Sequence, residues 1–476
     1  MLGTLVWLLS AVASVAGVQP SRQDTTLVVI DGATLIDGRG GLPIRDAVVV
    51  VAGGRIRAAG RRSEVAVPPG ATRLDARGKF LLPGFIDVHA HVTLGPVALE
   101  RDRTPPTMVA KTDPEGAGRH LALLLASGIT TIRDPGGVAA RTVGVRDSVA
   151  RGELLGPRMF VAGEVIDRVN FEGLTRAVST PDEVRQEVRR QVAVGVDMVK
   201  LYFSLEPELV GAGIDEAHRL GVPAIGHLMA TTWTEAAAMG IDGIVHLLGG
   251  SAKLLPEAAR AKYQAMLGGS QFMYGWLEHL DLGAPEILRA VDLLAQRRVT
   301  LDPTLVVFER AIRGDQPEVT KAEPLQWASP ALLANWRSFF TFNIGWTADD
   351  FRRAQAAWPK ALGLTKLLYD RGVLLAAGTD ANNPWVVPGE SFHRELELLG
   401  AAGIAPLDVM TIATRNGARL LGIEADVGTI EVGKRADLVL LGADPTRSIS
   451  ATRAVEWVML GGARHRPAEV IARYRP

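Results

Sequence analysis

Leu82-Pro-Gly-Phe-Ile-Asp-Val-His-Ala-His91 decides how this chain is read. An apolar, strand-like run over residues 84–92 carries two histidines two positions apart. Side chains alternate along a strand, so both imidazoles fall on one face and can reach one ion. The pattern recurs downstream. Residues 197–202 carry Lys200, 223–227 end on His227, 243–246 end on His246, and 374–380 end on Asp380. Recurring short strands with polar residues at their C-terminal ends are how a (β/α)8 barrel builds an active site. Imidazoles and carboxylates are ligands of Zn²⁺-type ions. His89, His91, Lys200, His227, His246 and Asp380 are therefore expected to form one set of metal ligands.

Each residue also has a plainer reading. Either His227 or His246 alone suits a satisfied core histidine, and their separation of 19 residues fits one helix plus turns. Lys200 follows Val196-Asp-Met-Val199, and the chain holds only 9 lysines against 43 arginines, so a lysine in an apolar strand is not background usage. It is either a surface residue at a strand edge or a buried amine. A neutral buried amine can take up CO2 as a carbamate, whose two anionic oxygens can bridge two cations. Asp380 ends an apolar run, where its charge needs a metal, a metal-bound water or another partner. Tyr202 shares a strand face with Lys200 and is a candidate for contact with substrate, with plain packing as the alternative. His393, 13 residues beyond Asp380, is a second such candidate or a structural residue at a helix start. His120 and His218 fall on predicted helices, His279 in an insertion and His465 in the tail.

Outward from the site, residues 25–80 read as β-structure, with runs at 27–30, 46–51 and 55–59 and turns at Asp31-Gly32, Asp37-Gly38 and Gly53-Gly54. From Pro83 strands alternate with helical segments, for example 114–127, 181–194, 207–220 and 359–371. Strand–helix alternation over this length implies a parallel α/β architecture. After a helix at 406–421, β-texture returns at 427–430, 436–441 and 455–460. The two chain ends are thus expected to pair. The organisation predicted is an apolar leader at 1–23, a composite β-sandwich domain from 24–82 and 418–472, and an α/β barrel of the (β/α)8 TIM-like type over 83–417. Two long connections, about 251–298 and 305–372, are rich in aromatics such as Phe272, Tyr274, Trp276, Trp336, Phe340, Phe342 and Trp346. They are read either as a lid over an apolar substrate or as self-packing inserts.

Composition narrows the function classes. At 476 residues and 47% hydrophobic, the chain can bury a large core. Its 52 basic residues balance 52 acidic ones without a basic block, which argues against nucleic acid as a partner. Cysteine is absent, so disulfides, Cys-zinc sites and thiol catalysis are excluded. Residues 2–18 are apolar or small, shorter than the roughly 20 residues a membrane-spanning helix needs, and end in Ser14-Val15-Ala16-Gly17. They read as a signal peptide, and the expected location is periplasmic or secreted, without stable membrane insertion after its removal. The alternative is an uncleaved apolar tail. Homo-oligomerisation is left open.

With these residues on the page, the chain resembles the amidohydrolase superfamily over about residues 25–470. The likeness rests on Leu82–His91, on Gly378-Thr-Asp380, on Ala413-Thr-Arg-Asn-Gly-Ala418, and on Gly428-Thr-Ile-Glu-Val-Gly-Lys-Arg-Ala-Asp-Leu-Val-Leu440. Within it the chain is similar to imidazolonepropionase-related and Xaa-Pro-dipeptidase-like members. The resemblance implies a binuclear centre. His89, His91 and Asp380 would hold the more buried ion, His227 and His246 the second, and carboxylated Lys200 would bridge them. Zinc is the expected metal, with Mn²⁺, Co²⁺ or Fe²⁺ as alternatives. It also implies hydrolysis of an amide or peptide-like C–N bond in a small-molecule substrate by a metal-bridging hydroxide, with Asp380 shuttling the proton. The same centre could serve an ester, lactone or organophosphate hydrolase, and a non-catalytic scaffold is the reading from another class. Lys200 argues against imidazolonepropionase activity itself, because true imidazolonepropionases are mononuclear and lack this lysine. Leu201-Tyr-Phe-Ser204 departs from the small, Gly-containing stretch that often follows the lysine in prolidase-like members.

Overall fold

A computed structural model describes residues 27–474 apart from 105, 106, 249 and 340. The expected leader at 1–23 and Phe340 lie outside the described residues. Eight short parallel strands form a closed barrel. They are β1 (Phe85–Asp87), β2 (Ile129–Asp134), β3 (Arg158–Val161), β4 (Val199–Leu201), β5 (Ala224–Gly226), β6 (Gly243–Val245), β7 (Thr300–Asp302) and β8 (Leu374–Leu375). β1–β2–β3 and β4 through β8 pair in parallel ladders. The β3–β4 seam is joined by an Ala162–Met198 bridge and by Asp197 N–H donating to the Val161 carbonyl at 2.8 Å. The β8–β1 seam closes through Val88 N–H to the Ala377 carbonyl at 2.9 Å and an Ala90–Ala381 bridge. Every residue of β1, β2, β4, β5 and β6 is buried. A parallel sheet covered on both faces needs apolar residues at successive positions, which is why these strands read as runs and not as alternation.

Helices follow the strands and start where the sequence signals them. Thr180 and Glu183 form a capping box for Pro181–Val194, which ends at Gly195 with φ 102°. Thr232 and Glu235 do the same for Trp233–Met239. The helix expected at 359–371 is the second half of Ala348–Asp370, with Pro359 inside it. Its true start is the capping box of Thr347 and Asp350. The helix expected at 406–421 is interrupted by a π-helical turn over Ile412–Asn416. There Asn416 Nδ2 donates to the Leu375 carbonyl at 2.8 Å, fastening the turn to β8.

The chain ends do pair, in one eight-stranded sheet. Phe80–Pro83 lies parallel to Val28–Leu35 on one side and antiparallel to Leu438–Leu441 on the other. The edge strand Arg55–Arg61 turns back toward the C-terminal segment: Ile56 N–H donates to the Lys434 carbonyl at 2.9 Å and Ala436 N–H to Gly54 at 2.8 Å. One face of this sheet packs Ile30, Leu35, Val49, Ile56, Leu438 and Trp457 into a core of its own. Asp31-Gly32 is not a turn between strands. It is a bulge inside Val28–Leu35, with Gly32 at φ 85°. Residues 427–430 form no strand; Ile430 N–H instead donates to the Asp37 carbonyl at 2.9 Å. A small antiparallel pair, Leu94–Glu100 with Thr107–Thr112, extended by Phe171–Glu172, was not anticipated. Among the described residues no helix is long and apolar enough to cross a membrane.

Candidate metal centre

The centre is assembled at the C-terminal ends of β1, β4, β5, β6 and β8. The strand before the His-x-His pair stops at Asp87, so His89 and His91 sit in the segment just past β1. That segment is kept in register by Ala90 N–H donating to the Arg133 carbonyl at 2.9 Å and by Asp380 N–H donating to the His89 carbonyl at 2.7 Å. Asp87 accepts from His89 N–H at 3.0 Å and from the Thr379 hydroxyl at 2.8 Å, which ties the two ligand-bearing segments together. Gly378 permits the approach: a Cβ there would lie 2.8 Å from His89 Cβ.

The outer ring nitrogens are fixed by acceptors. His89 Nδ1 faces Asp302 Oδ2 at 2.8 Å, and His91 Nδ1 faces the Gly136 carbonyl at 2.9 Å. Both acceptors require an N–H, which leaves each Nε2 with a lone pair pointing inward. His246 Nδ1 pairs with Thr304 Oγ1 at 2.7 Å, a hydroxyl that can donate or accept, and this contact orients the ring with Nε2 inward. Around Asp380 Oδ1 lie His89 Nε2 at 3.4 Å and His91 Nε2 at 3.3 Å. Lys200 Nζ is 3.4 Å from His89 Nε2, and His246 Nε2 is 3.9 Å from Asp380 Oδ2. Donors bound tetrahedrally at about 2.1 Å stand roughly 3.4 Å apart, so these separations match donors sharing one ion. Among the described residues, His89, His91 and Asp380 offer donor atoms all within 4.8 Å of one another.

His227 lies half-buried beside this group with both ring nitrogens buried, its ring centroid 4.6 Å from that of His246 and 5.2 Å from that of Tyr202. The Leu248 backbone lies near enough to favour its protonated form slightly, but neither ring nitrogen has hydrogen-bond geometry to any group. A buried imidazole with no partner at either nitrogen is costly unless something outside the protein binds it. The donor set and this orphaned ring fit divalent metal.

Electrostatics agree. Burial opposes ionisation of Asp380, yet His89, His91 and Lys200 hold its carboxyl well below the usual range. Burial also disfavours a charged His91, but Asp134 and Asp380 outweigh it and raise it to about 9, the mark of a pocket that favours added positive charge. Burial first, then Lys200, drives His227 down to about 3. Burial pulls Lys200 down to about 8, so the neutral amine that adds CO2 is within reach near neutrality. His246 and Asp380 sit at φ 68° and 60°, left-handed backbone that non-glycine residues adopt at a cost.

A cavity of about 690 Å³ opens above the group. Its floor is His91, Lys200, Tyr202, His227, His246 and Asp380, and its walls are largely apolar. Of the insert aromatics, Tyr263, Phe272, Phe308 and Phe342 line it. Tyr274 and Trp346 meet edge to face at 5.0 Å, while Trp336 packs on Trp385 and Trp276 on Trp233, each at 6.1 Å and each partner outside the inserts. His393 is not brought to the site. It is buried in Glu390–Ala401 against Phe85 and bonds Thr452 Oγ1 at 3.1 Å.

Several supporting residues escape a search for ligands alone. Asp302 ends β7, and its second oxygen accepts from Arg133 Nη2 at 2.6 Å. Asp134 ends β2 and accepts from Val92 N–H at 3.1 Å. Both end barrel strands as Asp380 follows one, but no apolar run marks them: Asp134 follows Ile129-Thr-Thr-Ile-Arg133 and Asp302 follows Val299-Thr-Leu301. His120 is buried, facing the Val92 carbonyl at 2.9 Å and Asn382 Nδ2 at 2.8 Å, beneath the loop after β8.

Comparison with known proteins places this arrangement. Imidazolonepropionase of Rubrobacter xylanophilus is 26% identical over 462 residues, covering 90% of this chain and 94% of that protein. A 5-methylthioadenosine/S-adenosylhomocysteine deaminase of Symbiobacterium thermophilum is 24% identical over 88% of this chain and 85% of its own length. The solved structure of a Xaa-Pro dipeptidase superposes with a TM-score of 0.67 at 22% identity, covering 93% of this chain and 100% of that one, which carries the TIM-like barrel fold. The profile of the amidohydrolase family matches residues 80–463, and the chain belongs to that family of hydrolases acting on C–N bonds.

Proposed function

We propose that the protein hydrolyses an amide or peptide-like C–N bond at a binuclear metal centre. The observation that carries this reading is the convergence of His91, Lys200, His246, Asp380 and the orphaned His227 on the floor of one cavity, with His89 Nε2 just beneath them, 3.4 Å from both Lys200 Nζ and Asp380 Oδ1. His89, His91 and Asp380 would hold one ion, His227 and His246 the other, with Lys200 as its carbamate between them. Zinc suits this nitrogen–oxygen set, as do Mn²⁺, Co²⁺ and Fe²⁺. The chemistry that divalent metal would supply there is a lowered pKa for the attacking water and Lewis-acid polarisation of the scissile carbonyl.

The remaining work belongs to the chain. Asp380, held ionised by its cationic neighbours, is placed to accept the proton of the attacking water and return it to the leaving nitrogen. Asp302 and Gly136 fix the tautomers of His89 and His91, and Thr304 holds the ring of His246 in place. Tyr202 borders the floor beside His227 and is available to donate its hydroxyl proton to a substrate oxygen, since burial keeps that hydroxyl protonated. We further read 24–82 with 418–472 as a composite sandwich domain flanking the barrel over 83–417, and 1–23 as an export leader to the periplasm or beyond.

The test is a panel of dipeptides, N-acyl amino acids, aryl amides, lactones and aryl esters on metal-loaded protein. Amide turnover abolished by chelation and restored by Zn²⁺ supports the reading. Turnover confined to lactones or esters would replace it with the ester-hydrolase alternative.

A further inference from the structure

The cavity above the floor differs in character from the floor itself. Leu248 and Phe203 from the barrel loops line the cavity together with Leu267, Phe272, Phe308 and Phe342 from the two long connections. Outside the floor, Lys253 is the one charged lining residue among those described, and its Nζ lies 3.2 Å from Glu235. The chain has 43 arginines, yet none lines the cavity among the described residues. Arginine is the side chain that clamps carboxylates in two-point geometry, and a carboxylate taken into an apolar pocket without such a partner is costly. The mouth continues the apolar character. Leu267, a wall residue, is 45% exposed; Ile344, two residues past Phe342, is 56% exposed; Val169, two before the lining residue Phe171, is 51% exposed.

We propose that the substrate is an uncharged amide bearing an extended apolar group, such as a medium- or long-chain acyl arylamide, and not a small amide with a free carboxylate. This inference rests on the amide-hydrolase reading of the same site. Hydrolysis breaks the acyl C–N bond and forms a C–O bond to water; one water proton goes to the leaving nitrogen, the carboxylic acid and the neutral amine leave, and no redox partner is required. The cavity size falls within the range of about 300–1,000 Å³ that buries ligands of this size.

The experiment uses full-length, Zn²⁺-loaded protein and the p-nitroanilides of acetic, butyric, hexanoic, octanoic and decanoic acids. Each methylene buried should raise kcat/KM about fourfold until the cavity is filled. Octanoyl-prolinamide should be cleaved at least ~10-fold better than octanoyl-proline, whose carboxylate meets in the walls only Lys253, already paired with Glu235. Leu267→Arg, at a half-exposed position, should narrow that preference and slow the decanoyl anilide. Rates that are flat or fall with chain length, or a preference for octanoyl-proline, overturn the proposal while leaving the amide reading intact. If only the matching p-nitrophenyl esters turn over, with the same dependence on length, the amide reading fails and the apolar class survives. If neither series reacts, calorimetry with decanamide and N-acetylproline decides: binding of decanamide no tighter than N-acetylproline overturns the proposal.

Discussion

Replacing Arg133 with Met should injure both the fold and the metal centre, although Arg133 touches no expected ligand. Arg133 and Asp302 are each 1% exposed, and Arg133 Nη2 lies 2.6 Å from Asp302 Oδ1. The other Asp302 oxygen is 2.8 Å from His89 Nδ1, and Arg133 Nε donates to the Val88 carbonyl at 2.5 Å. Removing one member of a buried ion pair strands the other, at a cost of about 3–5 kcal/mol. Burial raises Asp302 to about 6 even with Arg133 in place. Without the guanidinium it rises further and the carboxyl is neutral at pH 7. A neutral carboxyl no longer demands an N–H from His89 Nδ1, so the lone pair at Nε2 is no longer guaranteed. Loss of such an orienting partner typically weakens metal affinity ~10–100-fold. Urea unfolding and competition with a chelator measure the two effects separately. The double variant Arg133→Met/Asp302→Leu should regain most of the stability, because an ion pair replaced by apolar groups is close to neutral. It should not regain metal affinity. A single variant within about 1 kcal/mol of the parent, or a double variant no more stable than the single, would refute the reasoning.

Lys200→Ala should lose most metal and activity, and short carboxylic acids should restore part of both by standing in for the carbamate; full activity without rescue makes the lysine a bystander. Asp380→Asn keeps an oxygen for metal but cannot shuttle a proton, so kcat on an amide should fall at least ~10²-fold, and less on an ester with a good leaving group. Equal losses on both substrates confine Asp380 to ligand or base. Glu395 is buried, accepts from the Leu305 and Val306 amides, and is raised by burial to about 8. A carboxyl whose folded value lies above its unfolded one binds more protons when folded, so stability should decline as pH rises from about 4.5 toward 8. Urea unfolding at pH 5 and pH 9 should show a smaller decline for Glu395→Gln than for the parent; an equal decline removes Glu395 as the cause.

The barrel was legible because its strands are buried on both faces and end on polar residues, a signal carried within a few residues of sequence. Pro181 at the start and Gly195 after the end mark their helix to the residue, whereas Pro359 reads as a start although Thr347 and Asp350, twelve and nine residues earlier, carry the stronger signal. Asp31-Gly32 misled for a related reason: a turn and a bulge both want glycine at positive φ, and only the partner strand distinguishes them. The candidate ligands could be read one by one. Their supports could not, since Arg133 and Asp302 are 169 residues apart and nothing local marks them as a pair. His393 shows the converse. Its position after β8 suggested the site, but helix Glu390–Ala401 turns it toward Phe85 and Thr452.

The most direct test of the central claim is the metal content of the protein as a function of activity. Protein produced with added Zn²⁺ and bicarbonate, freed of loosely bound ions and measured by elemental analysis, should hold two ions per chain. Stepwise removal by chelator should abolish amide hydrolysis, and reloading should restore it as occupancy approaches two. A fully active preparation holding one ion or none contradicts the binuclear account.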